Sequence, residues 1–71
     1  MKKISVSLSG HQTSISLEEE FIIALHEIAK RDNVSIASII EIIDKNRNPD
    51  SNLSSAVRSY ILRRYMKSAK L

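Results

Sequence analysis

The stretch HQTSISL, residues 11–17, decides the fold. Thr13, Ile15 and Leu17 alternate with Gln12, Ser14 and Ser16, the period-two pattern of a strand with one apolar face. It runs without a break into EEEFIIALHEIAK, residues 18–30, where the apolar residues recur at helical spacing. A single strand ahead of helices cannot satisfy its own backbone N–H and C=O groups. Two solutions are open. The strand folds back on the residues that precede it, or it pairs with the same strand of a second copy.

The preceding residues have a similar pattern. Ile4, Val6 and Leu8 alternate with Ser5, Ser7 and Ser9, and SVSLS (residues 5–9) resembles SISLE (residues 14–18). Gly10, the one glycine, separates the two segments and allows a bend or a bulge. Residues 11–17 adjoin the first helix and are read as the core strand. Residues 1–10 are read as an extra strand or a flexible N-terminal arm.

Downstream, a first helix is expected from about Glu18 to Arg31, with Phe21, Ile22, Leu25, Ile28 and Ala29 as its apolar stripe. Glu18, Glu19 and Glu20 suit the positive end of its dipole, and Lys30 and Arg31 the negative end. Asp32-Asn33 signals a turn in which Asn33 takes a left-handed cap. Ser35 is the expected N-cap of a second helix, Ile36 to Lys45. Its Ile36, Ile39, Ile40 and Ile43 stripe, with Ile42 beside it, suggests burial on more than one side, as at a dimer core. Residues 46–52 form a loop around Pro49. A third helix follows from Leu53 to Lys67, with Leu53, Val57, Tyr60, Ile61 and Tyr65 on one face. The expected organisation is one domain, with the arm or extra strand at 1–10, a core at 11–47, and a loop and C-terminal helix at 48–71.

A chain of 71 residues buries a modest core. Without cysteine it has neither disulfides nor thiolate metal sites, which leaves oligomerisation as a source of stability. Its net charge of +3 is a mild basic bias, compatible with nucleic acid but not diagnostic of it. No apolar run approaches a membrane span, and the chain is expected to be soluble and cytoplasmic.

The order strand, helix, tight turn, Ser-capped helix over residues 12–43 resembles the ribbon-helix-helix family of dimeric bacterial DNA-binding proteins. SVSLSGHQTSISLE and NLSSAVRSYIL further resemble a subfamily of short, stand-alone members. The resemblance implies a mostly α fold: an intertwined homodimer with an intermolecular antiparallel β-ribbon, here with a C-terminal third helix. It also implies a ribbon lying in the major groove of double-stranded DNA. The base-contacting positions carry over to Gln12, Ser14 and Ser16. Gln pairs bidentately with adenine, and serine hydroxyls donate or accept at several bases. The phosphate grip carries over to Ser35 with the backbone amides of Ile36 and Ala37, at a helix N-terminus that suits an anion. No Arg or Lys lies between His11 and Leu17, so further phosphate contacts are expected from Lys2, Lys3, His11, Lys30 and Arg31.

Plainer readings stand beside these. Gln12, Ser14 and Ser16 also fit a solvated strand face. Ser16 and Glu19 match the S-x-x-E spacing of a capping box, so Ser16 also fits a helix cap. The basic side chains of the third helix fit a solvated surface, a DNA flank or a protein partner. His11 and His26 have no ligand pattern around them, and no metal or cofactor is expected. There is no nucleophile–base constellation and no Gly-rich phosphate loop, so an enzyme is not expected. The leading expectation is a homodimeric, sequence-specific DNA-binding protein acting as a transcriptional regulator, of repressor type, with tandem dimers on DNA as an option. The alternative is an antitoxin-like interaction module that holds a protein partner such as a toxin through its third helix.

Overall fold

A computed structural model describes residues 1–70. Strand β1 (Lys2–Leu8) and strand β2 (His11–Leu17) precede helices α1 (Glu19–Asp32), α2 (Ile36–Asn46) and α3 (Leu53–Ser68). The strands pair antiparallel within the chain, with Lys3 opposite Ser16, Ser5 opposite Ser14 and Ser7 opposite Gln12. Of the two solutions open to residues 11–17, the chain uses the first: β2 finds its ladder partner in residues 2–8. The ribbon expected between chains is here formed within one chain. The physical reason is proximity. A two-residue connection brings two strands of like pattern together at a small entropic cost.

That connection is Ser9-Gly10. Both residues have positive φ, 49° and 83°, as a type I′ hairpin turn requires. Gly10 is therefore the turn itself rather than a bulge. A Cβ added at Gly10 meets no atom within 4 Å, so only backbone strain opposes a side chain there. Gly10→Ala should destabilise the fold by about 1–2 kcal/mol, read as a lower urea midpoint with an unchanged slope.

Val6, Leu8, Ile15 and Leu17 are buried on the inner face of the ribbon, with Ile4 partly buried beside them. They meet Leu25, Ile28 and Ala29 of α1, Ile39, Ile40 and Ile43 of α2, and Val57 and Ile61 of α3. Among the described residues no buried side-chain polar atom lacks a hydrogen-bond partner. The architecture is a two-stranded layer on three helices, with α2 packed under β1 and α3 under β2.

The helix ends follow their local chemistry. Asn33 is left-handed at φ 56° and closes α1, its N–H donating to the Ala29 and Lys30 carbonyls. Ser35 caps α2 by accepting from the Ser38 N–H at 3.0 Å. Asn52 caps α3 in the same way, accepting from the Ser55 N–H at 3.2 Å. Ser16 caps nothing: the N-cap of α1 is Glu18, which makes no side-chain cap bond. Ile42 is 59% exposed, so within one chain α2 buries one side. Tyr65 is also exposed, at 40%, in a cleft it lines with Ile28 and Arg31 of α1.

Helix α3 is a structural member. Val57 is fully buried and Ile61 nearly so. Arg64 makes a bidentate pair with Asp32 of α1, at 2.8 and 2.9 Å. The buried side of α3 is thereby part of the core, while Leu62 and Met66 on the same helix are exposed.

Candidate nucleic-acid interface

Period-two alternation leaves the outer face of the ribbon to one set of side chains. On β2 these are Gln12, Ser14 and Ser16, the residues expected to meet bases; the first two are exposed and Ser16 is half-buried. The register adds three from β1: Lys3 opposite Ser16, Ser5 opposite Ser14 and Ser7 opposite Gln12, all exposed. The surface is thus six side chains in two rows, all able to hydrogen-bond, one cationic and none acidic. The missing cation of residues 11–17 is supplied across the ladder by Lys3. Sequence reasoning placed Lys3 only among phosphate contacts and omitted Ser5 and Ser7. The similarity of SVSLS to SISLE was the signal that could have found them.

The other expected contacts scatter. Ile36 and Ala37 line a shallow groove with Ser5, Ser7 and His26, so the first turn of α2 borders the ribbon on the β1 side. Ser35 precedes them at the cap, its hydroxyl already donating to the Ser38 hydroxyl at 2.9 Å. Lys2 lies at the open end of β1 and donates to Glu19 at 3.2 Å, both side chains being about two-thirds exposed. Lys30 is exposed near the end of α1. Arg31 lines a separate cleft with Arg64, Tyr65 and Lys67 that includes no ribbon residue. His11 is exposed at the start of β2.

Two further polar links tie the ribbon end and the β2–α1 junction to α2 and α3. The Ser9 hydroxyl donates to Glu41 of α2 at 2.7 Å. Arg58 Nε of α3 donates to Glu18 at 2.8 Å, and its Nη2 reaches the Ser16 carbonyl at 3.5 Å. Arg58 escaped sequence reasoning because its partner lies forty positions away, beyond any helical spacing. The links hold both carboxyls below the usual glutamate range, Glu18 through the Arg58 hydrogen bond and Glu41 through that from Ser9. Asp32 is lowered likewise by the Arg64 hydrogen bond.

Depressed folded-state values contribute stability that is present above the unfolded values and lost as pH falls through the folded ones. The melting temperature should therefore be level from neutral pH to about 5 and fall progressively below it. Added salt should shrink the fall, since the two arginine pairs are only partly buried. A melting temperature that rises on acidification contradicts these assignments.

Among the described residues no group of three or more metal-ligating side chains comes together, and no helix is long and apolar enough to cross a membrane. The sequence profile of the ribbon-helix-helix domain matches residues 1–65. The chain belongs to the ribbon-helix-helix family. This ribbon-helix-helix chain carries the fold of a group whose members generally dimerise and bind DNA in transcription-regulator roles, without enzymatic chemistry. No curated protein and no solved structure matches it. The matched span begins at residue 1, so β1 lies within the family's domain rather than ahead of it.

Proposed function

We propose that this protein binds double-stranded DNA sequence-specifically, laying the outer face of its ribbon in a major groove, and acts as a transcriptional repressor. The observation that carries the reading is that face. Its side chains are polar or cationic throughout, while the opposite face is sunk in the helices. A two-stranded ribbon fits the major groove, where each base pair presents a distinct pattern of donors and acceptors.

Gln12 takes adenine through N6 and N7, and Ser14 and Ser16 make shorter contacts to neighbouring base edges. Ser35 and the amides of Ile36 and Ala37 hold a phosphate beside β1. Lys2 and Lys30 add charge near the backbone. Arg31, in its separate cleft, contributes only to the long-range field.

Titration of the protein against labelled genomic fragments at low and moderate salt tests the reading. Binding should appear at low salt and weaken as salt rises, with a shallow slope reflecting few phosphate contacts. Gln12→Ala should cost about 1–3 kcal/mol on the preferred sequence and little on unrelated DNA. No binding at low salt overturns the proposal, because phosphate attraction is strongest there. An equal loss on all sequences removes Gln12 from base reading.

A further inference from the structure

The ribbon and the helices under it repeat about an axis. In an antiparallel pair, a two-fold through one residue pair exchanges the strands. Placed at the Ser5–Ser14 pair, it exchanges Val6 with Ile15, Ser7 with Ser16 and Leu8 with Leu17. These are the residues matched in the similarity of SVSLS to SISLE. The same operation brings Lys3 onto Gln12 and Ser9 onto Glu18.

The helices obey it too. The first turn of α2 lines a groove with Ser5 and Ser7 of β1. The first turn of α3 lines one with Ser14 and Ser16 of β2. Superposing α2 on α3 cap to cap equates Ser35 with Asn52, each accepting from the N–H three residues on. It equates Ile40 with Val57, both fully buried, and Glu41 with Arg58. The Ser9–Glu41 and Glu18–Arg58 links are then the same contact made twice, with different chemistry. Only α1 has no counterpart.

We infer that one chain supplies the whole two-fold reading surface, with β1 in place of a second copy's strand, and that Lys3, Ser5 and Ser7 contact bases of double-stranded DNA. This rests on the DNA-binding reading above. Both serine rows lie on the same face as Gln12 and carry no acid, so neither row is excluded from the groove. The surface is symmetric at its centre, Ser5 and Ser7 against Ser14 and Ser16, and asymmetric where Lys3 replaces Gln12. Lysine donates to guanine O6 and N7, whereas glutamine suits adenine. The preferred site is therefore a short inverted repeat broken at one equivalent position, guanine on the Lys3 side and adenine on the Gln12 side. The between-chain edge is also less available than in an open ribbon, since Arg58 of α3 stands beside the Ser16 carbonyl.

The test selects bound duplexes from a random double-stranded pool with the full chain, then repeats the selection with Lys3→Gln and with the double variant Ser5→Ala/Ser7→Ala. Lys67→Gln, in the cleft without ribbon residues, controls for loss of one charge. The wild-type motif should be the broken inverted repeat, and Lys3→Gln should lose its guanine preference. Each ribbon variant should bind the wild-type motif about tenfold more weakly, with unrelated DNA little affected. Lys67→Gln should lower affinity evenly and slightly. Sedimentation of the complex on the shortest competent duplex should give one chain per ribbon site. Circular dichroism confirms that each variant is folded before it is scored.

If the folded β1 variants recover the wild-type motif with affinity for it undiminished or lost evenly on all DNA, the inference is overturned while the DNA-binding reading stands. Two chains needed on the shortest duplex overturn it as well. Failure of the wild-type chain to bind the pool at low salt overturns both.

Discussion

Ile40→Ala should lower the unfolding free energy by about 2–5 kcal/mol. Ile40 is fully buried in the middle of α2, the helix that packs against both β1 and α3. Truncation leaves a cavity between a sheet and a helix that are each pinned elsewhere, so the site has little room to collapse. A domain this small starts with a total of about 5 kcal/mol or slightly more. At the upper end of the range the variant is unfolded at room temperature. Ile42→Ala, on the same helix at 59% exposure, should change stability by no more than about 0.5 kcal/mol. Urea unfolding of both variants checks this. Equal losses would mean that the buried side of α2 has been misidentified.

Those two isoleucines also mark where sequence stops informing structure. Spacing alone finds the stripe Ile36, Ile39, Ile40 and Ile43, and the observed burial of Ile39, Ile40 and Ile43 follows it. Ile42 looks apolar enough to demand a second packing surface, and nothing in the periodicity says that it is left exposed on the chain. Caps are more legible, because their chemistry is local. Asn33 and Ser35 act where their side chains and backbone preferences suggest. Helix bounds follow within about one residue, the usual fraying scale.

The partner of β2 was harder for a physical reason. Alternation states which side of a strand faces inward; it does not state which strand lies alongside. Residues 2–8 and residues 11–17 of a second copy satisfy β2 equally well on pattern. The Ser9-Gly10 turn settles the matter through positive φ at both positions, a property of two residues that looked like an interruption. The interface inherits this. Gln12, Ser14 and Ser16 could be assigned to the outer face by counting. Ser5, Ser7 and the position of Lys3 depend on register, and register depends on the turn.

Removing residues 1–10 should abolish the folded monomer. The deletion takes Val6 and Leu8 out of the core, where they are 9% and 6% exposed. Two such side chains contribute about 3–6 kcal/mol, comparable with the whole stability of a small domain. It also strips β2 of its ladder, leaving Ile15 and Leu17 uncovered above the helices. Helical circular dichroism of the truncated chain should therefore be lost in dilute solution. At higher protein concentration the β2 strands of two copies can pair, each standing where β1 stood. The helical signal should then return with a concentration-dependent melting temperature, while the intact chain melts at one temperature over the same range. Undiminished helicity of the truncated chain as a dilute monomer would show that β1 is dispensable to the core. Concentration-dependent melting of the intact chain would show that a second copy completes the native fold. The intact and truncated chains thus separate two ways of pairing one strand, and the difference between them is whether ten residues or a second molecule provides the other half of the ribbon.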